Sequence, residues 1–187
     1  MKKLIALSLI PLLSGCLSAS APRVTQWLLE YGGPVKETRL TKYEVGRVSQ
    51  VQVRSPYNEV GILVLRADGS VAFDPYNEYA ANPTAMLKGL VFDAMDASGL
   101  FGTVVTSSSS VKSQALAEVL VSRLALDCRQ EGARRAVASV RVRLIADDGK
   151  ALYVQGDGEA DAKDGNYGAA LSNALSTALN AAFAQFR

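Results

Sequence analysis

The sequence predicts an α+β domain, a mainly antiparallel sheet with two principal helices packed on one face. Three observations carry that expectation. Apolar or alternating runs of strand length fill the middle of the chain. Asp-Gly pairs at Asp68-Gly69 and Asp148-Gly149 mark hairpin turns between them. Two well-separated stretches show helical periodicity, and no regular strand–helix alternation of the doubly wound kind connects them. There is no internal repeat.

The first strand is expected from Val24 through Trp27-Leu28-Leu29 to Tyr31, stopped by Gly32-Gly33-Pro34. Residues 45–53 place Val45, Ser49, Val51 and Val53 on one side, as a half-buried strand does. After a turn at Pro56-Tyr57-Asn58, strands over 60–66 and 70–73 flank Ala67-Asp68-Gly69. The clearest helix follows. Asn82 is a good N-cap, Pro83 suits the first turn, and Met86, Leu87, Leu90, Val91, Ala94 and Met95 form one apolar face. Ser98-Gly99 ends it, and Leu100-Phe101 should fold back onto it. Further strands are expected near 103–106, 115–127 and 136–146. In the last, Ala136, Ala138, Val140, Val142 and Leu144 share a face opposite Arg141 and Arg143. Asp147-Asp148-Gly149-Lys150 turns into a strand near 151–159. A helix over 166–186 closes the chain, with Tyr167, Leu171, Leu175, Leu179 and Phe183 on one seam.

The N-terminus carries its own signal. Lys2 and Lys3 precede an apolar run over 4–13, too short for a bilayer span of about 20 residues. The run ends in Leu13-Ser14-Gly15-Cys16, which resembles the lipobox of bacterial lipoproteins. Small residues there suit a peptidase cleft, and the Cys16 thiolate is the nucleophile that accepts diacylglycerol. Residues 1–15 thus read as a cleaved signal peptide, 16–23 as a lipidated tether and 24–187 as one domain. Leu17 stands where an aspartate would favour the inner membrane, so the expected location is the periplasmic face of the outer membrane. The tether spans at most about 25 Å when extended. The lipid on Cys16, diacylglycerol plus an N-acyl chain, is the only prosthetic group expected.

Without residues 1–15 the chain has 18 basic and 18 acidic side chains. That balance argues against nucleic acid as a partner. Arg134-Arg135 and Arg141/Arg143 read as solvated strand positions. Cys128 has no second thiol to pair with once Cys16 is acylated, so the fold rests on its core. The chain has no histidine, which removes Ser-His-Asp and Cys-His catalysis and most zinc or copper sites. A Ser-Lys pair is the nucleophile arrangement left, and nothing marks one. The acidic run over 157–165 is only superficially like a calcium loop. Ala162 stands at its turn glycine and Gly168 where the closing glutamate belongs. No catalytic or metal residue is therefore assigned, and the chain is not expected to be an enzyme.

Two surfaces are candidates for partner contact. The terminal helix has no charged residue over 166–186. Its polar side includes Ser172, Asn173, Ser176 and Asn180, either a neutral solvated side or a protein interface, since interface cores are poor in charge. Tyr76 and Tyr79, in an aromatic stretch before Asn82-Pro83, are the other candidates.

The order of features resembles the ABC-type transport auxiliary lipoprotein family, the PqiC-like group. The resemblance runs from Trp27-Leu28-Leu29 through Val45-Gly46-Arg47-Val48 and Pro56-Tyr57 to the aromatic segment and the helix ending Ser98-Gly99-Leu100-Phe101. Where the family carries a tryptophan in the aromatic segment, this chain has Tyr79-Ala80, and the phrase after Val48 is more polar. The resemblance implies a non-catalytic accessory subunit of an MCE/ABC-type envelope lipid transport system, holding the periplasmic component at the outer membrane. Its partners would be MCE proteins and ABC transporter components, with self-association into a homo-oligomer compatible with their ring symmetry. Two other classes compete: an assembly lipoprotein partnering an outer-membrane β-barrel, and a small Ser/Lys envelope hydrolase.

Overall fold

The computed structural model describes residues 23–33 and 41–187. In chain order the elements are β1 (Thr25–Trp27), β2 (Tyr43–Val53), β3 (Gly61–Arg66), β4 (Val71–Tyr79), α1 (Pro83–Ala97), β5 (Phe101–Val105), β6 (Ala115–Cys128), β7 (Arg135–Ala146), β8 (Ala151–Asp161) and α2 (Tyr167–Ala184). The α+β expectation holds, with helices packed against a sheet.

β6 is the spine of that sheet. One edge pairs antiparallel with β7 from Ala115↔Ala146 to Asp127↔Arg135, and β8 continues antiparallel beyond β7. The other edge is shared. β2 lies parallel along its first half, Gly46↔Ala115 to Val53↔Val121, and β3 parallel along its end, Val64↔Leu126 to Arg66↔Cys128. The sheet therefore forks. β5 joins β2 in parallel, while β4 joins β3 antiparallel and carries β1 in parallel at the far edge. The longest ladders are antiparallel, as expected, but four of the seven pairings are parallel. Antiparallel neighbours announce themselves through short turns, whereas β2–β6 and β3–β6 join segments far apart in sequence.

Both helices form where the periodicity places them. Asn82 Oδ1 accepts from Thr84 N at 2.9 Å, and Gly99 adopts φ +69° beyond the end of α1. Asn166 caps α2 through Ala169 N. Leu171, Leu175, Leu179 and Phe183 are buried against the sheet face that carries Val119, Val121, Val140, Val142 and Leu144. Burial of each such side chain contributes about 1.5–3 kcal/mol. α2 lies unusually close to β8 because Gly156 and Gly158 face it. A Cβ there would stand 2.0 Å from the carbonyl oxygens of Ala178 and Ala174 respectively.

Two expectations about strands need correction. β1 has only three residues; from Leu28 onward the chain leaves the sheet and runs along α2. β4 does not stop at Phe73 but continues to Tyr79, interrupted where the register jumps between Leu63↔Phe73 and Gly61↔Glu78. Asp74 Oδ1 accepts from Tyr76 N (2.8 Å) and Asn77 Nδ2 (2.9 Å), and that turn lets Pro75 sit in a strand.

Candidate functional site

The expected lipobox residues Leu13, Ser14, Gly15 and Cys16 lie outside the described residues. What is described is how the chain enters the domain just after them. β1 pairs with β4, and Trp27 Nε1 donates to Asn77 Oδ1 at 2.9 Å. The Trp27 ring packs on Gly168, where a Cβ would come within 2.7 Å of it, and lies 6.3 Å from the Tyr167 ring. The entry point is thereby tied to the first turn of α2.

The following segment, 28–33, covers most of the helix side singled out above. Ser172 Oγ accepts from Glu30 N and Ser176 Oγ from Gly32 N, each at 3.0 Å. Tyr31 Oη donates to Asn180 Oδ1 at 2.7 Å, and Leu29 is buried. Burial raises the Tyr31 pKa, opposed by the Asn180 bond, with Asp93 adding to the rise. Ser172 and Ser176 are themselves buried, the latter to 3 % exposure. As free partner-contact residues these two are corrected: the missing charge on this side reflects cover by the chain's own backbone. Serines spaced i, i+4 face one way on a helix, and their hydroxyls satisfy strap amides in place of a neighbouring strand. Asn173 remains exposed and Asn180 half-buried.

The two tyrosines divide. Tyr76 is 55 % exposed and stays a contact candidate, whereas Tyr79 is 1 % exposed and is withdrawn. Tyr79 sits opposite Trp27 on the inward side of the β1–β4 ribbon, and burial raises its phenol pKa. Its hydroxyl has no hydrogen-bond partner among the described residues.

The sheet face away from the helices carries a feature that alternation alone did not single out. Two cross-strand rows, Gln52–Leu120–Arg141–Gln155 and Gln50–Glu118–Arg143–Tyr153, line a shallow groove of about 580 Å³. Arg143 pairs with Glu118 at 3.2 Å and lies over the Tyr153 ring at 5.4 Å. Arg141 Nε reaches Gln155 Oε1 at 3.4 Å. Beyond these rows the same face holds a small apolar cluster of Leu63, Ala125 and Val137, with Tyr57 and Leu65 against it. Asp127 lies at that end, its carboxyl held at about 2 chiefly by the Arg129 hydrogen bond. Asp157, Glu159 and Asp161, the start of the superficially calcium-like run, are strand residues of β8 paired across to β7. Among the described residues no group of three or more His, Cys, Asp or Glu could hold a metal ion, and no helix is long and apolar enough to cross a membrane. Cys128 is half-buried.

Arg47 has a role that only the fold reveals. Its guanidinium donates to the carbonyls of Thr106 (3.2 Å), Ser107 (3.4 Å), Ser109 (2.7 Å) and Val111, and its Nε to Ser113 Oγ (3.3 Å). One side chain thus organises the serine loop between β5 and β6.

No family model matches the chain, and no curated protein matches it in sequence. Solved structures share its fold. An uncharacterized protein superposes with a TM-score of 0.57 at 16% identity, over 74% of this chain and 90% of its own. A Xanthomonas campestris protein of family DUF330 superposes with a TM-score of 0.53 at 16% identity, over 82% and 86%. A PelC dodecamer variant from Paraburkholderia phytofirmans fits more loosely, with a TM-score of 0.42 at 13% identity over 80% and 94%. At these identities the likeness is one of fold.

Proposed function

We propose that this chain is an outer-membrane-anchored, non-catalytic accessory lipoprotein of an MCE/ABC-type envelope lipid transport system, of the PqiC-like auxiliary family, holding the periplasmic component at the membrane. The observation that carries the reading is the sequence order: a lipobox at Cys16, a seven-residue tether, then Trp27-Leu28-Leu29 and the later family phrases. The fold likeness to the DUF330 protein is consistent with it.

The mechanism is positional. Diacylglycerol and an N-acyl chain on Cys16 hold the chain to the inner leaflet of the outer membrane, since several acyl chains make a stable anchor where one does not. The strap and β1 fix the domain to that anchor. The helix-free sheet face, with Gln50, Gln52, Arg141, Arg143 and Tyr153, offers polar and aromatic groups to a periplasmic partner. A homo-oligomer matched to a ring-shaped MCE assembly would repeat each contact and raise avidity.

Crosslinking in intact cells, with the Cys16-anchored protein as bait and mass spectrometry as readout, tests this. Recovery of an MCE protein or its permease is expected. Recovery of a β-barrel alone would shift the chain to the assembly-lipoprotein class, and recovery of neither would sink the transport role.

A further inference from the structure

We infer that the outward side of the β1–β4 ribbon is a membrane seat, in which Val24, Leu28 and Tyr76, with Phe73 and Val71 beside them, rest on the phospholipid surface that holds Cys16. The inference rests on the lipid anchor proposed above.

The exposed apolar side chains are unevenly distributed. Nine large ones are exposed among the described residues, and five of these are Val24, Leu28, Val71, Phe73 and Tyr76, with Leu28 at 61 %. Val71, Phe73 and Tyr76 fall on β4, and Val24 and Leu28 flank β1 on either side. The register Thr25↔Asn77, continued one step, sets Val24 beside Tyr76. Between them and Leu28, on the same side of the ribbon, Gln26 Nε2 donates to Glu78 Oε1 at 2.7 Å. Phe73 lies over Gly61, whose Cβ would meet its ring at 2.9 Å. The Asp74 turn pushes Pro75-Tyr76 out of the ladder, and Trp27 ties that turn to β1 through Asn77. The inward side of the ribbon, Trp27 and Tyr79, is already used by the core.

Chain length selects the occupant. Thr25, the first residue of β1, is nine residues beyond Cys16, so β1 begins within about 30 Å of the acylated residue. The exposed residues flanking this attachment point therefore meet the bilayer at a high effective concentration, and even a weak contact is populated. Val111 is exposed beside the start of β6, whereas the register through β4 and β3 sets β1 level with Arg123, eight residues or about 26 Å further along that strand. Among the described residues the seat itself carries no base: Arg23 and Arg66 stand at its margins, and Glu78 is engaged by Gln26. Contact through aliphatic and aromatic groups at the headgroup–acyl boundary follows, with little dependence on salt.

The test uses the full, lipidated chain in three single-reporter forms, Leu28→Cys, Tyr76→Cys and Val111→Cys, each with Cys128→Ser and a polarity-sensitive fluorophore on the new thiol. Each is reconstituted into phosphatidylethanolamine–phosphatidylglycerol vesicles with or without brominated acyl chains. The expected result is co-flotation of all three, with blue-shifted emission and about twofold or greater bromine quenching at 28 and 76 but not at 111, as for groups 5–10 Å into the interface. Water-like emission at 28 and 76 in a chain that co-floats would overturn the seat and leave the anchor standing. Failure to co-float would overturn both. A photo-crosslinker at position 28 that captures a protein in cells, and no phospholipid, would also overturn the seat.

Discussion

Gly156 and Gly158 lack side chains because α2 occupies the space. Each would place a Cβ 2.0 Å from a helix carbonyl oxygen, and a backbone atom cannot swing aside as a flexible side chain can. Gly158→Ala should therefore destabilise the domain by about 3 kcal/mol or more, through displacement of α2 from β8. Chemical denaturation checks this; an unchanged midpoint would refute the close contact. Gly69 and Gly149 are glycine for a different reason. Both adopt positive φ in hairpin turns and have open space around them. Arg47 is a third case, a cation that among the described residues is satisfied by backbone carbonyls and not by a carboxylate.

At the scale of elements, the strap over 28–33 is the least expected piece. Two serine hydroxyls on α2 receive its amides, and Leu29 anchors it from below. Removing each hydroxyl leaves an amide without its partner, at a cost of about 1 kcal/mol. Ser172→Ala and Ser176→Ala should each lower the melting temperature by about 2–4 °C. They should also speed hydrogen exchange at Glu30 and Gly32 while leaving the β6–β7 ladder protected. Exchange spread evenly over the domain would contradict a local role. A glutamate at either serine would bury a charge under the strap and act on folding first, on assembly only secondarily. The interrupted β4 is the complementary case: its turn at Asp74 spends ladder bonds to display Pro75-Tyr76.

At the scale of the whole molecule, the fork in the sheet separates two regions. β1, β4 and β3 gather near the entry of the chain, while β2 and β5 gather at the other end of β6. The helices fill one face, and the opposite face keeps the groove around Arg141 and Arg143. If lipid at Cys16 holds this body to the membrane, Cys16→Ser should release it into the soluble periplasmic fraction while the purified domain melts unchanged. Retention in the membrane fraction would contradict the anchor.

Residue pattern alone was enough for both helices, the caps of α1, the two Asp-Gly hairpins and the inward face of β7, because each depends on neighbours within a few positions. It also raised the expectation of a lipobox and tether, read by chain position, in residues outside the described ones. Tertiary structure alone decided the rest. The parallel pairings of β2 and β3 with β6, the cover over Ser172 and Ser176, the burial of Tyr79 and the clamp by Arg47 all join residues distant along the chain. An uncharged polar helix side looks the same in sequence whether it meets water, a partner or its own strap. Only the packed molecule distinguishes them, because the hydroxyls of Ser172 and Ser176 are satisfied by backbone amides more than 140 residues away.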